Sequence, residues 1–113
     1  MRLESKKYLF DVRQASDLVM KFVESKTFRD YSDDPLLRSG VERQLMVIGE
    51  ALNRLVKTDA ELMQKVSDYK KIISFRNIIV HGYDIIDDET VWGIVTSSLP
   101  RLHQEVVALL EGS

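Results

Sequence analysis

The chain is predicted to be all-α, an antiparallel bundle of four to five helices. Three observations predict it. Apolar residues recur at three- and four-residue intervals in each long segment. Five glycines and two prolines in 113 residues favour long regular elements over loops. Nowhere does the alternation of a strand persist, and no segment repeats another.

The first helix is expected over roughly Leu3 to Lys26, where Tyr8, Val12, Ala15, Val19 and Phe22 form one stripe widened by Leu9, Leu18 and Val23. Residues 27–34 are polar and are expected to turn. Asp34-Pro35 then starts a second helix, with a carboxylate at the N-cap and proline at the first helical position. This helix runs to about Lys57. Val41, Leu45, Ile48, Leu52 and Leu55 are spaced 4-3-4-3 along it, a packing seam for a bundle or a dimer. A neighbouring face carries Arg43, Glu50 and Arg54, one carboxylate between two guanidiniums. It suits either a surface ion pair or a polar stripe beside a site.

Thr58-Asp59 caps a short third helix that ends near Val66. Ser67 or Asp68 starts a fourth, which closes at His81 with Gly82 as its C′ residue. Ile72, Phe75, Ile78 and Ile79 make this helix apolar on two sides, so it is expected at the centre of the bundle. A loop from Asp84 to Asp88 ends in the cap of the last helix, which carries Val91, Val95, Ser98, Leu102, Val106 and Leu109. Pro100 falls inside that pattern and should kink or split it, because it lacks an N–H and crowds the preceding turn.

Composition narrows the function. One domain is expected, with 44% hydrophobic and 30% charged residues, the balance of an ordinary soluble protein. There is no cysteine, and the two histidines form no metal-binding pair, so thiolate sites are excluded and no metal or cofactor is expected. No leader is visible, and the longest apolar run, Val106 to Leu110, is far too short to span a bilayer. A cytoplasmic location without membrane attachment is the expectation. The net charge is −2. Binding to nucleic acid would therefore use a local basic pocket and not a general positive surface.

The chemistry concentrates in Arg76-Asn77-Ile78-Ile79-Val80-His81-Gly82-Tyr83. On an ideal helix Arg76 shares a stripe with Tyr69, Ile72, Ile73, Val80 and Tyr83. A guanidinium there must meet a structural carboxylate or a phosphate, since burying it unpaired is costly. Histidine exchanges protons near neutral pH, and arginine offers a fork of donors for a phosphate. Together they suffice for metal-free RNA cleavage. His81 would move the proton of the 2′-hydroxyl or of the leaving group, and Arg76 would stabilise the crowded phosphorus. Five residues separate the two, a rotation of roughly 140°, so they diverge on a regular helix unless it loosens or a second subunit completes the site. Asn77 shares a face with His81 and could orient its ring. A purely structural role stays open: His81 suits the helix dipole, Arg76 could pair with Glu50, and Tyr83 could fill the core.

These eight residues resemble the R-x4-H-x-Y signature of HEPN domains, specifically the HepT-like branch. Val41-Glu42-Arg43-Gln44-Leu45, Ile48-Gly49-Glu50-Ala51-Leu52, Val91-Trp92-Gly93-Ile94-Val95 and Leu99-Pro100-Arg101-Leu102 resemble that family in the same order, so the likeness runs from about Val41 to Leu110. Tyr69 stands where many relatives carry tryptophan, a difference expected to affect packing. The resemblance implies a homodimer whose two motifs face one cleft, and a ribonuclease toxin with Arg76 and His81 catalytic and Asn77 supporting. It also implies a minimal nucleotidyltransferase as antitoxin, transferring AMP from ATP to Tyr83. The alternatives are a non-catalytic helical dimer that binds a nucleotide or that partner, and a purely structural module.

Overall fold

Aspartates and a threonine set most of the helix boundaries. The computed structural model describes residues 1–82 and 86–112. Helix α1, Leu3–Phe22, buries Leu9, Val12, Ala15, Ser16 and Val19 along one stripe. It stops four residues short of the expected Lys26, because Ser25 takes a left-handed φ of 61°. The segment expected to turn instead holds a helix, α2, Phe28–Asp33. Thr27 accepts from the Asp30 amide and Asp30 accepts from the Thr27 amide, a reciprocal capping box that stabilises even so short a helix. Its Tyr31 is fully buried, with Trp92 at 5.5 Å between ring centroids.

Asp34 caps α3, Pro35–Thr58, by accepting from the amides of Leu36 and Leu37. All five residues of the 4-3-4-3 seam are buried, and they pack within this chain. The start of α1 meets the end of α3, where Ser5 Oγ donates to Asp59 at 2.7 Å and the Arg2 guanidinium donates to the Thr58 carbonyl. At the other end Phe22 lies against Gly40, so the two helices are antiparallel. Asp59 also caps the single turn α4, Ala60–Met63, which ends before the expected Val66.

Helix α5, Tyr69–His81, begins at Asp68, whose φ of 62° makes the entry turn. Gly82 ends it with a φ of −141°, donating its amide to the Ile78 carbonyl at 2.7 Å, so this glycine closes the helix without a left-handed turn. Among its residues only Ile72 and Phe75 are fully buried, while Ile78 and Val80 are exposed. The centre of the bundle is α3, which carries α1 and α5 on its flanks; the expectation that α5 is central is corrected. Its apolar residues on two sides serve a half-buried helix that leaves Ile78 and Val80 exposed.

The last run comprises α6, Asp88–Gly93, a π-helical turn, Ile94–Ser98, and α7, Leu99–Glu111. Asp87 caps it at the Glu89 amide, within the expected loop, of which Asp84 and Ile85 lie outside the described residues. Pro100 cannot donate to the Thr96 carbonyl and its ring crowds it. The chain absorbs the extra space in the turn before: the Leu99 amide bonds Ile94, five residues back, and Thr96 Oγ1 donates to the Trp92 carbonyl. The disturbance expected at Pro100 thus lies just ahead of it, with α7 continuing regularly.

Candidate functional site

The site starts from a glycine. A Cβ on Gly49 would stand 2.3 Å from Arg76 Cβ, so α5 can lie this close to α3 only because residue 49 has no side chain. That proximity lets Arg76 turn back across α3. Its Nη2 donates to Glu50 at 2.7 Å and its Nη1 to Asn77 Oδ1 at 2.8 Å, with the Arg76 side chain 23% exposed. The other Glu50 oxygen accepts from Arg54 Nε at 3.1 Å. One carboxylate therefore sits between two guanidiniums, as the spacing on α3 suggested, but the pair is Arg76 and Arg54. Arg43 stands apart, without an ion-pair partner among the described residues. Since Glu50 is partly exposed, these contacts add about 0–1 kcal/mol to stability; their main effect is to fix where Arg76 points.

Asn77 accepts from Arg76 through Oδ1, and no hydrogen bond joins it to the His81 ring among the described residues. His81 occupies the exposed last turn of α5 and has no hydrogen-bond partner among the described residues. Arg76 faces α3 while His81 faces solvent beside Asn77 and Ile78, so the two do not converge within one chain. Tyr83 lies outside the described residues.

Arg76, Glu50 and Arg54 border an open groove of about 450 Å³ between α1 and α3. Its lining holds four cations, Lys7, Arg43, Arg54 and Arg76, against two carboxylates, Asp11 and Glu50. A chain of net charge −2 thus has a locally positive concavity beside the signature arginine. Tyr8 adds a ring to the wall, and Met46, Val47 and Ala51 form an apolar floor. Lys7, Tyr8 and Gly49 were not legible in the sequence as site residues. Gly49 alone carried a signal, since a glycine inside a helix costs up to about 1 kcal/mol relative to alanine and needs a reason. Among the described residues no group of three or more histidines, aspartates or glutamates is placed to hold a metal ion. Nor is any described helix long and apolar enough to cross a membrane.

The chain is thus an all-helical bundle with a clamped arginine beside a cationic groove and an exposed histidine on the same helix. The family model described as "Ribonuclease HepT-like" matches residues 12–109, and the chain belongs to this HepT-like ribonuclease family. A "Putative RNase" of Methanocaldococcus jannaschii is 29% identical over 89% of this chain and 92% of its own length. A "Putative RNase" of Caldanaerobacter subterraneus is 29% identical over 92% of each. The "Probable ribonuclease HepT" of Thermococcus cleftensis is 26% identical over 90% of this chain and 92% of its own. No solved structure matches the chain significantly.

Proposed function

We propose that this chain is a metal-independent endoribonuclease, the toxin of a toxin–antitoxin pair, with Arg76 and His81 as its catalytic residues. The observation that carries the reading is Arg76 held by Glu50 and Asn77 at the edge of a positive groove, with a solvent-facing His81 one turn further along. The substrate's 2′-hydroxyl attacks the adjacent phosphorus and His81 takes its proton. The 5′-oxygen leaves and takes a proton from water, the His81 imidazolium later returning its own proton to solvent, so the product ends are a 2′,3′-cyclic phosphate and a 5′-hydroxyl. Arg76 stabilises the charge gathering on the phosphoryl oxygens, and Asn77 fixes its guanidinium. Because Arg76 and His81 diverge on α5, the site is completed in a homodimer, where the His81 of one copy and the Arg76 of the other face one cleft.

Control falls to a partner nucleotidyltransferase. The Tyr83 phenolate attacks the α-phosphorus of ATP, pyrophosphate leaves, and AMP stays on the ring. Two residues from His81, the added phosphate would repel RNA and fill the mouth of the cleft. The second reading, a non-catalytic dimer that binds a nucleotide or the partner, is favoured by the engagement of Arg76 with Glu50, which leaves fewer donors for a substrate.

The deciding experiment is cleavage of an RNA oligonucleotide in EDTA by protein confirmed unmodified at Tyr83, with a matched DNA as control. RNA should be cut and DNA left intact, with activity falling at least about 100-fold in His81→Ala. RNA left uncut by the wild type, or cut equally by His81→Ala, sinks the assignment.

A further inference from the structure

We propose that the groove between α1 and α3 is a track for single-stranded RNA, running along α3 to either side of the phosphate at Arg76. The inference rests on the ribonuclease reading and adds to it contacts on α1 and α3 beyond the reacting phosphate. The groove does not end at Arg54. A second depression of about 340 Å³ continues it past Glu4, Tyr8, Glu50 and Arg54 to Lys57, adding one cation and one carboxylate to the lining. From Arg43 to Lys57 the cations follow α3 for about 21 Å, fourteen residues at the rise of a helix, long enough for several nucleotides.

The lining matches this ligand in both of its parts. RNA offers apolar base faces and one negative charge per nucleotide. Tyr8, half-buried on α1 with the Lys7 ammonium 5.8 Å from its ring centroid, offers a base an aromatic edge and a cation together above the floor of Met46 and Val47. Arg43 and Lys57 stand exposed at the two ends without an ion-pair partner among the described residues, which leaves their charge for phosphates. Arg54 is tied to Glu50, and Lys7 to Asp11 at 2.8 Å. These carboxylates hold two cations in fixed positions on the walls and keep the groove from being a uniform positive sheet. Such spacing suits a flexible strand threaded toward Arg76. It suits the flat surface of a folded protein less well.

The test uses a 2′-O-methyl RNA oligonucleotide, which binds but cannot be cleaved, in anisotropy titrations across a salt series. Arg43→Ala should weaken binding about tenfold and lower the slope of log Kd against log salt by about one. Tyr8→Leu should weaken it about tenfold with the slope unchanged, the sign of a lost aromatic contact. In cleavage assays both variants should raise KM for a long RNA at constant kcat, and raise it much less for a dinucleotide, which makes fewer contacts along the track. Unchanged affinity and slope in both variants overturns the track even if the wild type cleaves RNA. A wild type that binds through Arg43 but never cuts leaves the track standing and removes the catalytic reading. Unchanged RNA affinity with a shift in sedimentation for Arg43→Ala also overturns the track and assigns the groove to contact between copies.

Discussion

At the residue scale the decisive contacts are polar side chains placed where only tertiary structure could put them. Glu42, Asp88 and Arg38 surround the buried Tyr31 where α2, α3 and α6 meet. Burial, followed by the charges of Glu42 and Asp88, drives the Tyr31 phenol far above its ordinary range, and its hydroxyl has no hydrogen-bond partner among the described residues. Burial, followed by the charge of Asp88, also raises Glu42 above its ordinary value of 4.5. A carboxyl raised in the folded state favours folding while protonated, and that contribution is lost as pH climbs through the folded value. Glu42→Gln should therefore be nearly silent near about pH 3.5, where both states are protonated, and raise Tm by a few degrees near about pH 7.5. Thermal melts of both proteins at the two pH values check this; an equal gap at both, or none, would show that ionised Glu42 costs the fold nothing. None of this was legible in sequence, because Glu42 and Asp88 are far apart along the chain. Arg76 and Glu50 were legible as a possible pair, since a guanidinium on an apolar stripe requires an acceptor. The bond from Arg76 to Asn77 was not legible, because i,i+4 spacing points Asn77 at His81, whereas its Oδ1 accepts from the guanidinium of its immediate neighbour.

Elements are where the sequence was most informative. Every long helix was legible from periodicity, and the caps at Asp34, Asp59 and Asp87 were legible or nearly so. The missed helix α2 shows the limit: six residues carry too little apolar period to register, and its capping box uses aspartate where glutamate or glutamine is the usual signal. Which helix lies at the centre was also hidden, because α3 and α5 both have wide apolar faces and only contact between them decides. Gly49 is the hinge of that contact. Gly49→Ala drives a methyl to within 2.3 Å of Arg76 Cβ, an atom fixed to the α5 backbone that cannot swing aside. Helix α5 must then lift away from α3, at a cost of about 1–3 kcal/mol for overpacking. The same shift would break the Arg76–Glu50 ion pair, so RNA cleavage should fall more than stability alone explains. Urea melts together with kcat on the folded fraction measure both. A variant as stable and as active as the wild type would mean that α5 has room the geometry denies.

For the whole molecule, the proposed mechanism requires two divergent side chains to serve one phosphate. Helix α5 aims Arg76 inward at Glu50 and leaves Asn77, Ile78 and His81 on its outer side. Ile78 is 38% exposed, an apolar side chain one turn from the proposed catalytic histidine. In a monomer that exposure gains nothing, since burying such a side chain is worth about 1.5–3 kcal/mol. In a two-fold dimer the same patch meets its own copy, and each interface contact appears twice. The exposure of Ile78 and the divergence of Arg76 and His81 both suit the homodimer proposed above. Ile78→Glu places like charges across that axis while leaving the buried core untouched. Sedimentation should shift from dimer to monomer, the melting temperature of the monomer should show an intact fold, and RNA cleavage should drop at least about tenfold with neither Arg76 nor His81 altered. A wild type that sediments as a monomer and still cleaves RNA would mean that one chain assembles the site alone, and α5 would then have to loosen after Val80 to bring His81 round to Arg76.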